Sequence, residues 1–147
     1  MSYNPEDGFP RVFPHVFYED VAEALDWLPN AFGFREVLRW SAPDGPVMFA
    51  EMESGGAAIM LGHPGSDYRN PKRVGQTSAY VSVFVDDLDS HCEQARAAGA
   101  EIVEEPADKP WGLREYAALD PEGQRWGFVQ HVRDATPQEW GAAVAER

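Results

Sequence analysis

The sequence holds a single cysteine, Cys92, which excludes an intrachain disulfide and any multi-cysteine metal site. Basic residues are scarce. Twelve Lys and Arg stand against 25 Asp and Glu, and the net charge of −13 opposes nucleic acid and anionic membrane as partners. Long hydrophobic runs are missing: the longest aliphatic run, "AAIML" (57–61), is far too short to cross a bilayer. No charged start followed by an apolar stretch marks a signal peptide, so the expectation is a cytoplasmic protein. A Ser-His-Asp arrangement, a phosphate-cradling glycine loop and a Cys-His motif are also absent.

What is present is apolar material for a core. The chain of 147 residues, 44% of them hydrophobic, suits one domain over 1–147. A chain of this length buries roughly 70% of the surface its unfolded form exposes.

An internal repeat organises it. "VFYEDVAEALDWLPNAFGFREV" (16–37) lies over "VFVDDLDSHCEQARAAGAEIV" (83–103) at an offset of 67, with one residue gapped near the glycine. Each copy passes from a strand pattern through an acidic pair into a helix that stops at Gly33 or Gly99, residues suited to the left-handed position past a helix end. The acidic pairs Glu19–Asp20 and Asp86–Asp87 suit the positive end of the helix dipole. Val21, Leu25, Leu28 and Phe32 form one apolar stripe, and Leu88, Cys92 and Ala95 repeat it, so Cys92 reads as a small core residue.

Three strand patterns follow each helix: 34–41, 46–53 and 57–62, then 100–105, 113–119 and 124–131. "PDG", "SGG" and "DPEG" supply turns between them. The expected fold class is therefore α+β: two strand-helix-strand-strand-strand (βαβββ) units, about 10–62 and 78–131, forming an eight-stranded sheet around a cleft. The segment 63–77 reads as a solvated linker, and its Arg69, Lys72 and Arg73 as the one basic cluster, either solvated or a lid meeting an anionic ligand. Thr136, Pro137 and Glu139 suggest a capped C-terminal helix over 136–146, docked through Trp140.

Alternation divides the leading strands into two faces. Val81, Val83 and Val85 suit the helix side, leaving Tyr80, Ser82 and Phe84 opposite; by the repeat, Phe13, His15 and Phe17 share that opposite side. An aromatic lining with a few polar groups fits a small-molecule pocket. His15 is a candidate general base or ligand-bonding group, or a satisfied polar residue. Trp111 either stacks at the cleft mouth or packs in its loop, while His63 and His91 read as solvated. Alternation places Arg114 and Tyr116 on one face and Glu115 on the other, and Glu51 reads as a solvated strand position.

The segments "FYEDVAEALDWLPNAFGF", "VFVDDLDSHCEQARAAGAEIVEEP" and "DPEGQRWGFVQ", in this order and with the repeat, resemble the vicinal oxygen chelate superfamily of glyoxalases, extradiol dioxygenases and bleomycin-resistance proteins. The resemblance covers most of 10–131. Metal-using members of that superfamily place a His or Glu on the leading and last strand of each unit. The matching positions here are Phe13, Met60, Tyr80 and Gly127, none of them a usual ligand of a catalytic divalent ion. Gly127, between Trp126 and Phe128, stands where relatives carry a glutamate, leaving a space in place of a ligand.

The resemblance thus implies a protein that binds a small hydrophobic or aromatic ligand, without a cofactor or the usual metal site, and that pairs as a homodimer. The expected ligand-binding residues are Phe13, His15, Phe17, Met60, Tyr80, Ser82, Trp111 and Gly127. One alternative is a glyoxalase-type lyase or isomerase, or a dioxygenase, using metal-free acid-base chemistry or a displaced metal held by His15 with Glu51, Glu115 or His131. Another is an interaction module with bulky side chains filling the space beside Gly127.

Overall fold

The two copies of the repeat fold alike because their helices start alike. In a computed structural model that describes residue 3 and residues 8–146, Asp20 caps helix α1 (Val21–Phe32) by accepting a hydrogen bond from the Glu23 N–H. Asp87 caps helix α3 (Leu88–Ala97) through the Ser90 N–H. The two caps have nearly the same backbone angles, φ −129° and ψ 93° against φ −132° and ψ 94°. Gly33 and Gly99 then take φ of 80° and 96°, the left-handed conformation that ends each helical run.

Among the described residues, eight strands lie in two four-stranded sheets. The first contains β1 (His15–Phe17), β2 (Arg35–Ser41), β3 (Val47–Ser54) and β4 (Ala57–Gly62) in the order β1-β4-β3-β2. The second contains β5 (Val81–Phe84), β6 (Glu101–Asp108), β7 (Leu113–Leu119) and β8 (Arg125–His131) in the order β5-β8-β7-β6. The α+β class and the two βαβββ units are as the sequence predicts. The expected single eight-stranded sheet is divided, because β1 and β5 each pair only with the last strand of their own unit.

Both units contribute to one core. Phe32 at the end of α1 packs 4.7 Å from Phe128 and 5.9 Å from Trp126, both on β8 of the other unit, and Phe34 lies 5.1 Å from Trp126. The Trp27 indole donates to the Ala98 carbonyl across the pair of helices. Val21, Leu25, Leu28, Phe32, Leu88, Cys92 and Ala95 are all buried, as their stripes predict. Each large side chain so buried contributes roughly 1.5–3 kcal/mol. The helices thus cover one face of each sheet.

Two segments depart from the sequence reading. The linker contains a short helix α2 (Pro71–Val74), opened by Asn70 as N-cap and closed by Gly75 at φ 90°. The C-terminal helix expected over 136–146 is a single 3-10 turn, Pro137–Trp140, ended by Gly141 at φ 88°. The Thr136 side chain makes no capping bond there, while Glu139 turns to Arg133. Trp140 does dock, edge-on to Trp111 at 5.8 Å.

Candidate functional site

Register decides which side chains share the helix-free faces. His15 pairs with Met60, Met60 with Glu51, and Glu51 with Leu38, which puts all four on one face of the first sheet. On the second, Ser82 pairs with Gly127 and Gly127 with Ala117. Phe17, Trp40, Tyr80 and Phe84 are exposed on these faces, whereas Val16, Val81 and Val83 turn toward the core as alternation predicts.

A groove of about 510 Å³ runs between β1, β5 and the linker. His15, Phe17, Tyr68, Arg69, Tyr80 and Arg125 supply its main side chains. Tyr68 is fixed by its neighbours: its ring meets Phe17 edge-on at 6.0 Å, and its hydroxyl donates to the Phe17 carbonyl at 3.2 Å. The Gln124 amide donates to the same carbonyl at 2.7 Å and to the Tyr68 hydroxyl at 3.2 Å. Partial burial, with Glu122 nearby, raises the Tyr68 phenol above its ordinary pKa, so it stays protonated. Across the groove the Arg125 guanidinium lies 5.4 Å from the centre of the Tyr80 ring, within reach of a cation–π contact.

Of the residues singled out from sequence, the groove gathers His15, Phe17 and Tyr80. Phe13 sits just before β1, with its ring 5.6 Å from the His15 ring. Met60 is the strand partner of His15, and Ser82 that of Gly127. Trp111 lies elsewhere, against Trp140 and hydrogen-bonded to Glu115. Gly127 does not leave an open space: a Cβ added there would lie 3.1 Å from Cε2 of Tyr80 and 3.2 Å from Oγ of Ser82. The missing side chain makes room for the Tyr80 ring.

His91 is not solvated. Its Nε2 lies 2.8 Å from the Phe32 carbonyl and its Nδ1 lies 2.5 Å from the Tyr116 hydroxyl, while its ring stacks on Phe32. Burial lowers its pKa, partly offset by the bond to Phe32. Its apolar neighbours and paired nitrogens make it part of the packing between the units.

The residues do not fit the metal site of the resemblance. Among the described residues, no three His, Cys, Asp or Glu side chains gather around a common point. Glu51 is separated from His15 by the whole of β4, Glu115 accepts from Trp111, and His131 pairs with Asp134 at 2.8 Å. The chemistry available in the groove is stacking on three aromatic rings, hydrogen bonding by imidazole and amide, and attraction by two guanidinium groups.

Sequence reasoning missed Tyr68, Gln124 and Arg125 as groove residues. The signal for Tyr68 was present in the linker, where Asn70-Pro71 followed by Gly75 marks a capped turn that orders the segment. Nothing local marks Gln124 or Arg125, because only the fold brings the start of β8 beside β1 and the linker.

Residues 10–128 match the family described as the Glyoxalase/Bleomycin resistance protein/Dioxygenase superfamily. An uncharacterised protein of Mycobacterium bovis is 31% identical over 152 residues, covering 100% of this chain and 98% of the relative. Among solved structures, TioX from Micromonospora sp. ML1 is 38% identical with a TM-score of 0.67, covering 86% of this chain and 100% of that one. TnmS3 from Streptomyces sp. CB03234, described as an antibiotic binding protein, shares the fold at 22% identity and a TM-score of 0.62, covering 81% and 93%.

Proposed function

The chain belongs to the glyoxalase/bleomycin resistance protein/dioxygenase superfamily, and we propose that within it this protein binds and sequesters a small aromatic molecule without using a metal. One observation carries this reading: the groove between β1 and β5 presents Phe17, Tyr68 and Tyr80 beside His15, a lining for a flat ligand. The side chains at the four positions where relatives hold a metal, Phe13, Met60, Tyr80 and Gly127, support the same conclusion. TnmS3, an antibiotic binding protein with this fold, supports a binding role of that general kind.

The reading includes a second copy of the chain. Phe17, Trp40, Tyr80 and Phe84 are 44%, 55%, 59% and 69% exposed on the helix-free faces, apolar side chains that a second copy would cover. A homodimer would cover these faces and enclose the groove as a cleft.

Titration with a panel of polycyclic aromatic compounds, followed by calorimetry and melting temperature, tests the proposal. A ligand that binds the native state raises the melting temperature by mass action. Binding lost in both Phe17→Ala and Tyr80→Ala is the expected result. If no aromatic compound binds, or if both variants bind as wild type does, the proposal fails. Sedimentation equilibrium tests the second copy, and a monomer at every accessible concentration would remove it.

A second reading, an interaction module with a vestigial cleft, is favoured by the Tyr80 ring over Gly127. It predicts no small-molecule binding and capture of a folded protein partner.

A further inference from the structure

Acidic residues outnumber basic ones by 25 to 12 in this chain, yet the groove reverses that balance. Among the described residues that line it, Arg69 and Arg125 are cations and none is a carboxylate. Arg69 donates to the carbonyls of Ser66 and Tyr68 and forms no ion pair among the described residues. Arg125 has one acidic neighbour, Glu104, at 3.3 Å on the solvent side of β6, which leaves part of the guanidinium over Tyr80.

The carboxylates nearest the Tyr68 end are already engaged. Glu122 accepts from the backbone N–H groups of Glu19 and Asp20 and from the Asn70 amide. Asp120 accepts from Tyr18 and Trp126, and Glu19 accepts from the Asn70 N–H beside Arg73. Their lone pairs are directed into the junction of linker and turn, leaving the guanidinium groups as the charges that meet the groove. Gln76, Thr77 and Ser78 add neutral polar atoms along one wall.

We infer that the groove selects a planar aromatic acid: the rings of Phe17, Tyr68 and Tyr80 take the flat body, and Arg69 and Arg125 take its carboxylate, sulfonate or phenolate. This rests on the groove being the ligand site and adds the charge of the ligand to that reading. A guanidinium beside aromatic rings that a bound ligand covers forms stronger bonds to an anion than it would in water, because the ligand itself displaces solvent and lowers the local dielectric. An overall acidic molecule with a local cationic patch also repels acidic ligands everywhere else, which adds selectivity.

Three ligands of one shape test the inference by calorimetry: 2-naphthoate, 2-naphthamide and 2-naphthylmethylammonium. Naphthoate should bind about tenfold more tightly than the amide, the scale of one charge-assisted hydrogen bond, and the ammonium least. Arg69→Gln and Arg125→Gln should each weaken naphthoate by a larger factor than the amide and so remove most of that preference, and added salt should weaken only the naphthoate. Equal affinity for the three ligands overturns the charge selectivity and leaves the aromatic site standing. Binding by none of them overturns both. Should Arg125→Gln fail to fold, Arg69→Gln alone decides, since Arg69 is exposed and paired only with backbone.

Discussion

The Tyr18 hydroxyl donates a 2.6 Å hydrogen bond to Oδ2 of Asp120, joining the end of β1 to the last turn of the second unit across 102 residues. Asp120 is the one buried acid among the described core residues. Its carboxylate also accepts from the Trp126 indole and from the backbone N–H groups of Glu122 and Gln124. Burial pushes its pKa up, and the four bonds pull against that; burial likewise raises Tyr18. The turn is therefore a clasp between the two units as well as a link between two strands.

Removing one partner of the clasp should cost more than an average surface bond. Tyr18→Phe is expected to destabilise the protein by about 1–3 kcal/mol, since it strips a donor from a buried acceptor. Asp120→Ala should cost more, because it leaves the Tyr18 hydroxyl and the Trp126 indole unpaired together. Urea unfolding of both variants measures this, and equal stability of Tyr18→Phe and wild type would remove the clasp as a stabilising feature.

Gly123 in the same turn should tolerate no side chain. It has φ of 84°, and a Cβ would lie 2.6 Å from the backbone nitrogen of Lys72, which itself donates to the Glu122 carbonyl. Left-handed strain together with a backbone clash predicts a loss of more than about 2 kcal/mol for Gly123→Ala. Thermal melting beside Gly56→Ala, a positive-φ glycine with open space around its Cβ position, separates the clash from the strain.

His91 should make the protein sensitive to mild acid. Nε2 faces a carbonyl and so carries the proton, which leaves Nδ1 of the neutral ring to accept from Tyr116. Burial lowers the folded-state pKa, so the unfolded chain takes up a proton more readily. The contribution of His91 to stability is thus complete above the unfolded imidazole pKa of about 6.5 and is lost as pH falls through the lower folded value. His91→Gln should flatten the fall in melting temperature below neutral pH, and an unchanged slope would contradict this origin.

Gly127→Ala should act through Tyr80. Alanine suits a strand interior better than glycine by about 0.5–1 kcal/mol, but here its methyl would press on the Tyr80 ring at 3.1 Å. The substitution should therefore be neutral or destabilising in the wild-type chain and stabilising in Tyr80→Ala. A double-mutant cycle of melting temperatures reads the sign, and additivity would show that the ring does not rest on the glycine.

Much of the fold was legible from local pattern. The acidic helix starts at Asp20 and Asp87, the stops at Gly33 and Gly99, and the buried stripes through Leu28 and Cys92 all follow from spacing and residue type, while the structure adds that the two aspartates are N-caps. The candidate site was less legible. Alternation placed His15, Phe17 and Tyr80 correctly on the helix-free side, since a two-residue period needs no knowledge of neighbours. His91 was misplaced because the helix face that meets the opposite unit has the same polar composition as one that meets water. Its hydrogen-bond partners come from Phe32 and Tyr116.

The sequence by itself determined two βαβββ units, their helix ends, their turns and which strand residues share a face. Those properties arise from interactions within a few residues, which periodicity and capping chemistry record. Only the tertiary structure decided that the strands form two sheets, that Tyr80 occupies the room left by Gly127, and that Arg69 and Arg125 line one groove. These depend on packing between segments 40 to 100 or more residues apart, where the choice is set by how large side chains such as Phe32 and Trp126 fill a shared core. No local pattern carries that choice, because a close-packed interior is satisfied only by all of its parts together.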